Sequence, residues 1–171
     1  MKKSNIVLIG MPGAGKSTAG VLLAKAAGLQ FVDTDLLIQQ KTGRKLQDII
    51  NGDGLDAFLS VESGVLSSLD CENSVVATGG SAVYSDAAMK NLRRNGVTVF
   101  LDVPLEEIKR RIDNITTRGI AMHPGETLDG IFSERLPLYK KYADITVPCG
   151  GSEQTVERIL NGLNTVRLFL S

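Results

Sequence analysis

The segment GMPGAGKST, residues 10–18, limits what this chain can fold into more than any other stretch. Gly10, Gly15, Lys16 and Ser17 satisfy G-x-x-x-x-G-K-[ST], and the flanking sequence is the one this pattern requires. NIVLIG precedes it, a continuous apolar run of the kind that forms a strand buried on both faces of a parallel sheet. KSTAGVLLAKAAG follows and reads as a helix stopped at Gly28. Glycines let successive backbone N–H groups turn inward around an anion, and the start of the helix adds partial positive charge. Lys16 is spaced to reach the β- and γ-phosphates of a nucleotide, and the Ser17 hydroxyl to ligate Mg²⁺. The candidate nucleotide-binding residues are therefore Gly13, Ala14, Gly15, Lys16, Ser17 and Thr18, and Lys16 is also a candidate catalytic residue.

Beyond the loop, strand-like and helix-like segments alternate. LQFV, SVVATGG, VTVFLDV and DITVP read as further strands. TDLLIQQKTG and KLQDIING read as helices, each closed by a glycine, and DAFLSVESGVLSSL as another with apolar residues at helical spacing. SDAAMKNLRRNG, PLEEIKRRI and SEQTVERILNGLNTVRLFL complete the helical set. LDGIFSERLPLYKKYA is helical too, with Pro137 expected to kink or split it. DNITTRGIAMHPGET breaks the alternation and is expected to be a mobile loop, about residues 114–126. Alternating strands and helices imply a parallel sheet with right-handed crossovers, covered on both sides. The reading is one three-layer α/β domain over residues 1–171.

Composition narrows the partners. Lys plus Arg and Asp plus Glu both number 19, so the net charge is zero and a nucleic-acid surface is not expected. No stretch approaches the roughly 20 apolar residues of a membrane span, and IVLIG after MKKSN is too short for a secretion signal. A cytoplasmic monomer acting on a small molecule is the expectation. Cys71 and Cys149 form no C-x-x-C and read as two thiols in a reducing compartment. His123, the single histidine, reads as loop surface.

A phosphate loop serves many activities. A guanine-reading N-K-x-D is missing, and VFLD offers only one acid where a motor-type ATPase carries a pair. A small kinase remains. FVDTD places Asp33 and Asp35 at the end of the second strand, where parallel sheets bind ligands. Two carboxylates there suit holding Mg²⁺, for Asp33, and orienting or deprotonating an acceptor hydroxyl, for Asp35. Asp33 also fits a helix N-cap. Gly79 and Gly80, after the third strand, would let backbone come close to a small ligand, or form a plain tight turn.

Taken in order, GMPGAGKSTAG, FVDTD, the Thr-Gly-Arg before LQDI, VVATGGSAV and ERLPLYKKYAD resemble the shikimate kinase family through nearly the whole chain. The resemblance implies a five-stranded sheet of order 2-3-1-4-5, a lid over the phosphates, ATP and Mg²⁺. It implies that Asp35 grips the acceptor hydroxyls, that Gly80 touches the acceptor through its backbone, and that Arg135 pairs with the acceptor carboxylate. Arg118 would be the lid arginine over the transferring phosphoryl, a catalytic role, and Arg111 would lie beside adenine. Arginine suits a carboxylate through its two-pronged fork, and mobile positive charge over the γ-phosphate is what phosphoryl transfer needs.

The acceptor half departs from that family. Leu59 stands where a second carboxylate-binding arginine is usual, Leu55 where an acid is usual, Ser81 replaces the last of three glycines, and Gly119 follows the lid arginine in place of proline. Losing one charge-assisted contact costs roughly 1.5–3 kcal/mol. Arg44 or Lys45 are candidates to supply the missing charge. The sequence thus predicts an ATP-dependent kinase for a small hydroxylated molecule, with shikimate, giving shikimate 3-phosphate, the leading acceptor. Another hydroxy acid, hydroxy amino acid or polyol, or a nucleotide-binding relative without turnover, are the alternatives.

Overall fold

The computed structural model describes residues 3–112 and 120–165. Among these, five strands form one parallel sheet of order β2-β3-β1-β4-β5. The strands are β1 (Asn5–Ile9), β2 (Gln30–Asp33), β3 (Ser74–Ala77), β4 (Gly96–Asp102) and β5 (Ile145–Pro148). β1 lies at the centre, with Ile6 opposite Val75 of β3 and Val97 of β4. All five of its residues are buried, as an apolar run covered on both faces must be.

The helices are α1 (Lys16–Ala27), α2 (Thr34–Thr42), α3 (Leu46–Asp53), α4 (Leu55–Ser67), α5 (Asp86–Asn95), α6 (Leu105–Ile112), α7 (Leu128–Tyr142) and α8 (Ser152–Thr165). Among the described residues one 3-10 turn, Ala82–Tyr84, follows β3, where the sequence pattern gives no element. Their starts follow from local chemistry. Asp33 caps α2 by accepting from the N–H groups of Asp35 and Leu36, Ser85 caps α5 and Thr127 caps α7. Two expected helix ends move. α3 runs through Gly52 and stops at Gly54, and Gly96 opens β4 instead of closing α5 as a left-handed cap. α7 stays one helix across Pro137, whose exposed ring removes one backbone donor on the solvent side without splitting the element.

Two apolar clusters result. The larger joins both sheet faces, with Ile6, Leu8, Val75, Val99 and Phe100 against Leu23, Met89, Tyr139 and Ile159. The smaller, Ile38, Leu46, Ile49, Phe58, Val65 and Ala121, sits among α2, α3 and α4 beyond the strand ends. Between the two clusters opens the cleft described next.

Candidate active site

α1 begins at the end of the central strand without a side-chain cap. Gly13 and Gly15 hold φ of 78° and 87°, a left-handed backbone that side chains disfavour. This turns the loop into an open cradle of N–H groups at a helix start, suited to phosphate. Ala14 is buried and Thr18 is exposed on the first turn of α1. Lys16 is 8% exposed, and its ammonium donates to the carbonyls of Gly10 and Met11, each at 2.7 Å. That holds the charge at the mouth of the cradle. Arg111, on α6, donates from Nη1 to the Gly13 carbonyl at 3.2 Å and from Nε to Glu107 at 2.8 Å. It therefore lies against the phosphate loop at Gly13.

Asp33 does two jobs at once. Oδ1 accepts from the amides of Asp35 and Leu36, and Oδ2 accepts from the Ser17 hydroxyl at 2.7 Å. A hydroxyl and a carboxylate oxygen at that separation, beside a phosphate cradle, form a hard oxygen set of the kind Mg²⁺ takes. The capping and metal readings of Asp33 are thus compatible. Among the described residues no cluster of three or more His, Cys, Asp or Glu side chains forms a metal centre.

Asp35 lines a chamber of about 60 Å³ with Lys16, Ser17, Gly79, Gly80 and Arg135. Gly79 is compressed: a Cβ on it would stand 2.5 Å from Glu62 Oε1 and 3.0 Å from Asp35 Oδ1. One on Gly80 would meet Pro12 Cδ at 2.7 Å. The glycine pair is therefore a close approach of strand end, phosphate loop and carboxylates, beyond what a plain turn needs. Tyr139 donates its hydroxyl to the Gly80 carbonyl at 2.6 Å and stacks on Phe100, fixing that corner. Arg135 is 1% exposed. Its Nε donates to the Tyr84 hydroxyl at 3.0 Å, and Nη2 donates to the Ala121 carbonyl. Its Nη1 is buried without a partner among the described residues. A guanidinium held this way on two sides, with the Nη1 amino group left over, is prepared for an anion.

Arg118 and Gly119 lie outside the described residues, as does the expected loop up to residue 119. Its described continuation is docked: Ile120 lines the chamber, and Ala121 packs in the smaller cluster. His123 is exposed, and both cysteines are free and half-buried.

The departures resolve into geometry. Leu59 is half-buried and packs with Leu55 on the smaller cluster. It does not line the chamber, whose α4 wall is Phe58 and Glu62. Leu59 faces a neighbouring groove of about 350 Å³, walled by Ser60, Ser63, Tyr84 and Ser85, and sharing Glu62 and Ser81 with the chamber. Arg44 is exposed and ion-paired with Asp53, and Lys45 is exposed at the start of α3. Neither side chain lines the chamber.

Glu62 escaped the sequence reading. It is 2% exposed, Ser81 Oγ donates to its Oε2 at 2.6 Å, and Oε1 has no partner among the described residues. Burial pushes its carboxyl up to about 7, helped by nearby Asp35 and opposed by Ser81, Arg135 and Lys16. A signal existed: Phe58, Glu62, Val65 and Leu66 share the buried face of α4, and an acid in such a stripe needs a reason.

A phosphate cradle, a cation at its mouth and an adjoining chamber with a carboxylate and a guanidinium define a small-molecule kinase of the P-loop class, a phosphotransferase acting on an alcohol. The family model described as "Shikimate kinase" matches residues 12–164. A shikimate kinase from Synechococcus sp. (strain RCC307) is 39% identical over 170 residues, covering 95% of this chain and 86% of that one. One from Clostridium botulinum (strain Eklund 17B / Type B) is 38% identical over 140 residues, 81% of this chain and 84% of that one. The solved structure of shikimate kinase from Acinetobacter baumannii in complex with shikimate superposes with a TM-score of 0.83 at 30% identity, covering 97% of this chain and 96% of that one. The chain belongs to the shikimate kinase family.

Proposed function

We propose that this protein transfers the γ-phosphoryl group of ATP to a hydroxyl of shikimate, giving shikimate 3-phosphate and ADP. The observation that carries the acceptor is the unpartnered Arg135 Nη1, buried in the same chamber as Asp35. One end of the chamber thus calls for an anion and the other for a hydroxyl, and a hydroxylated cyclic carboxylate supplies both.

ATP lies with its phosphates in the loop formed by residues 13–18 and its base toward Arg111. Mg²⁺, held by Ser17 and Asp33, supplies charge neutralisation on the phosphates when bound. Asp35 accepts the proton of the acceptor hydroxyl while that oxygen forms its bond to the γ-phosphorus. The bond from that phosphorus to the β–γ bridging oxygen breaks, and ADP leaves with the electron pair. Lys16 leaves its two carbonyls to stabilise the transferring group. Arg118, the lid arginine that the family resemblance implies, would add positive charge over it, and the segment around residues 114–126 would act as the lid. Gly79 and Gly80 offer backbone contacts to the acceptor. The same reading takes the chain as one domain acting as a monomer.

The test is ADP release with shikimate and a panel of other hydroxy acids and polyols, with the product read by mass spectrometry. Shikimate-dependent ADP release with a phosphorylated product is expected. ADP release with another acceptor and none with shikimate overturns the assignment. Lys16→Ala is expected to keep the fold by circular dichroism and lose at least about 10²-fold in kcat.

A further inference from the structure

The chamber contains two buried polar atoms without partners, Arg135 Nη1 and Glu62 Oε1, and they do not pair with each other. Both edge the same space, and each is fixed by bonds made elsewhere in its own side chain. Arg135 is tied to Tyr84 and Ala121, and Glu62 is tied to Ser81 through Oε2. Glu62 Oε1 is turned toward Gly79, the point on which Asp35 Oδ1 also converges. An ionised Glu62 would present a second negative charge to an anionic acceptor and to Asp35, with one oxygen buried and unsatisfied. A protonated Glu62 presents a donor there instead.

We propose that Glu62, positioned by Ser81, is a specificity-determining residue that binds the acceptor as a neutral carboxylic acid, its Oε1–H donating beside Gly79 to a hydroxyl oxygen of the acceptor next to Asp35, while Arg135 holds the anionic group. The two orphan atoms then become two donors, a charged one for the carboxylate of the acceptor and a neutral one for a hydroxyl. This places a neutral donor in the chamber of a chain that carries Leu59 outside it. The inference rests on the kinase reading above. It extends that reading by making acceptor recognition depend on a proton.

The surroundings of Glu62 support the neutral form. α2 turns Asp35 toward it, α1 turns Lys16, and α7 turns Arg135 and Tyr139. The 3-10 turn contributes Tyr84 on the groove side. α3 presents the apolar Leu46 to the chamber, and α5 meets α4 through Ala88 and Asn91, which do not titrate. The two cations favour the ionised form but make no hydrogen bond to it, and burial outweighs them, leaving the carboxyl near 7.

The test is the KM for shikimate from pH 5.5 to 8.5, at saturating ATP and Mg²⁺, for the wild type and Glu62→Gln. Glutamine is neutral throughout and keeps a donor. In the wild type, KM for shikimate is expected to rise above pH 7 by roughly tenfold per pH unit, while KM for ATP does not follow it. In Glu62→Gln the rise disappears. Calorimetry of shikimate binding at pH 7.5, in buffers of different ionisation enthalpy, tests the wild type alone and is expected to show uptake of close to one proton. Binding without proton uptake, or a KM profile shared by wild type and Glu62→Gln, overturns the inference and leaves the kinase reading standing. Absence of shikimate binding and turnover at every pH overturns the acceptor assignment and this inference with it.

Discussion

At the scale of single residues, the acceptor chamber is organised by what its polar atoms lack. Glu62 titrates near 7 in the fold, against an ordinary value of 4.5. Between these values the folded chain binds more protons than the unfolded chain, so stability falls as the pH rises through that window. The contribution is fully present below about 4.5 and lost above about 7, with an upper size of about 3 kcal/mol. Urea unfolding without ligands is expected to show this fall in the wild type relative to Glu62→Gln, and parallel curves for the two would refute it. Leu59→Arg addresses the same carboxylate from the groove. Its guanidinium is within the groove that Glu62 also lines, so it should ionise Glu62 and add positive charge to the acceptor site. KM for shikimate is expected to drop about tenfold at pH 8 and to lose its pH dependence. An unchanged pH profile in this variant would show that Leu59 has no access to Glu62. Residue identity alone could not reveal these couplings. GMPGAGKST reads directly because its chemistry is local, whereas Glu62 matters only because α4 and the turn after β3 bring Ser81 against it.

At the scale of elements, most boundaries were legible because caps and apolar periodicity act over a few residues. Asp33 and Ser85 start their helices as their side chains dictate. The misplaced ends have physical causes: Arg44 bonds the Asp48 carbonyl and the Asp53 carboxylate and so holds the last turn of α3 together through Gly52, and Gly96 extends because β1 pairs with it through Asn5. Pro137 is the instructive case. α7 carries Arg135 and Tyr139 one turn apart on the face toward the site, with the proline between them on the exposed face. The helix tolerates a residue that costs about 3 kcal/mol in an ordinary interior. Pro137→Ala is therefore expected to hold or raise Tm while increasing KM for shikimate several-fold, roughly 1 kcal/mol of misplacement, because the local axis changes between two residues that must aim at one point. A lowered Tm with unchanged KM would show that the proline supports the fold alone.

At the scale of the whole molecule, the parallel sheet followed from the alternation of strands and helices and its strand order from the family resemblance, but the division of the interior into two clusters followed from neither. Apolar periodicity marks which residues are inside without saying which cluster they join. The larger cluster holds the sheet and the phosphate loop, and the smaller holds α2, α3, α4 and Ala121. Hydrogen exchange is expected to be faster in α3 and α4 than in β1, β3 and β4, and to be slowed by shikimate more than by nucleotide. Uniform protection, or slowing by nucleotide alone, would contradict that division. The groove behind Glu62 and Ser81 bears on inhibitor design. It is about 350 Å³, walled largely by serines, and it meets the acceptor chamber across the bonded pair Glu62 and Ser81. A compound that anchors on Arg135 and extends a hydroxyl-bonding arm past Glu62 would find room here that an arginine in place of Leu59 would occupy, so it would discriminate between this enzyme and relatives that carry the arginine.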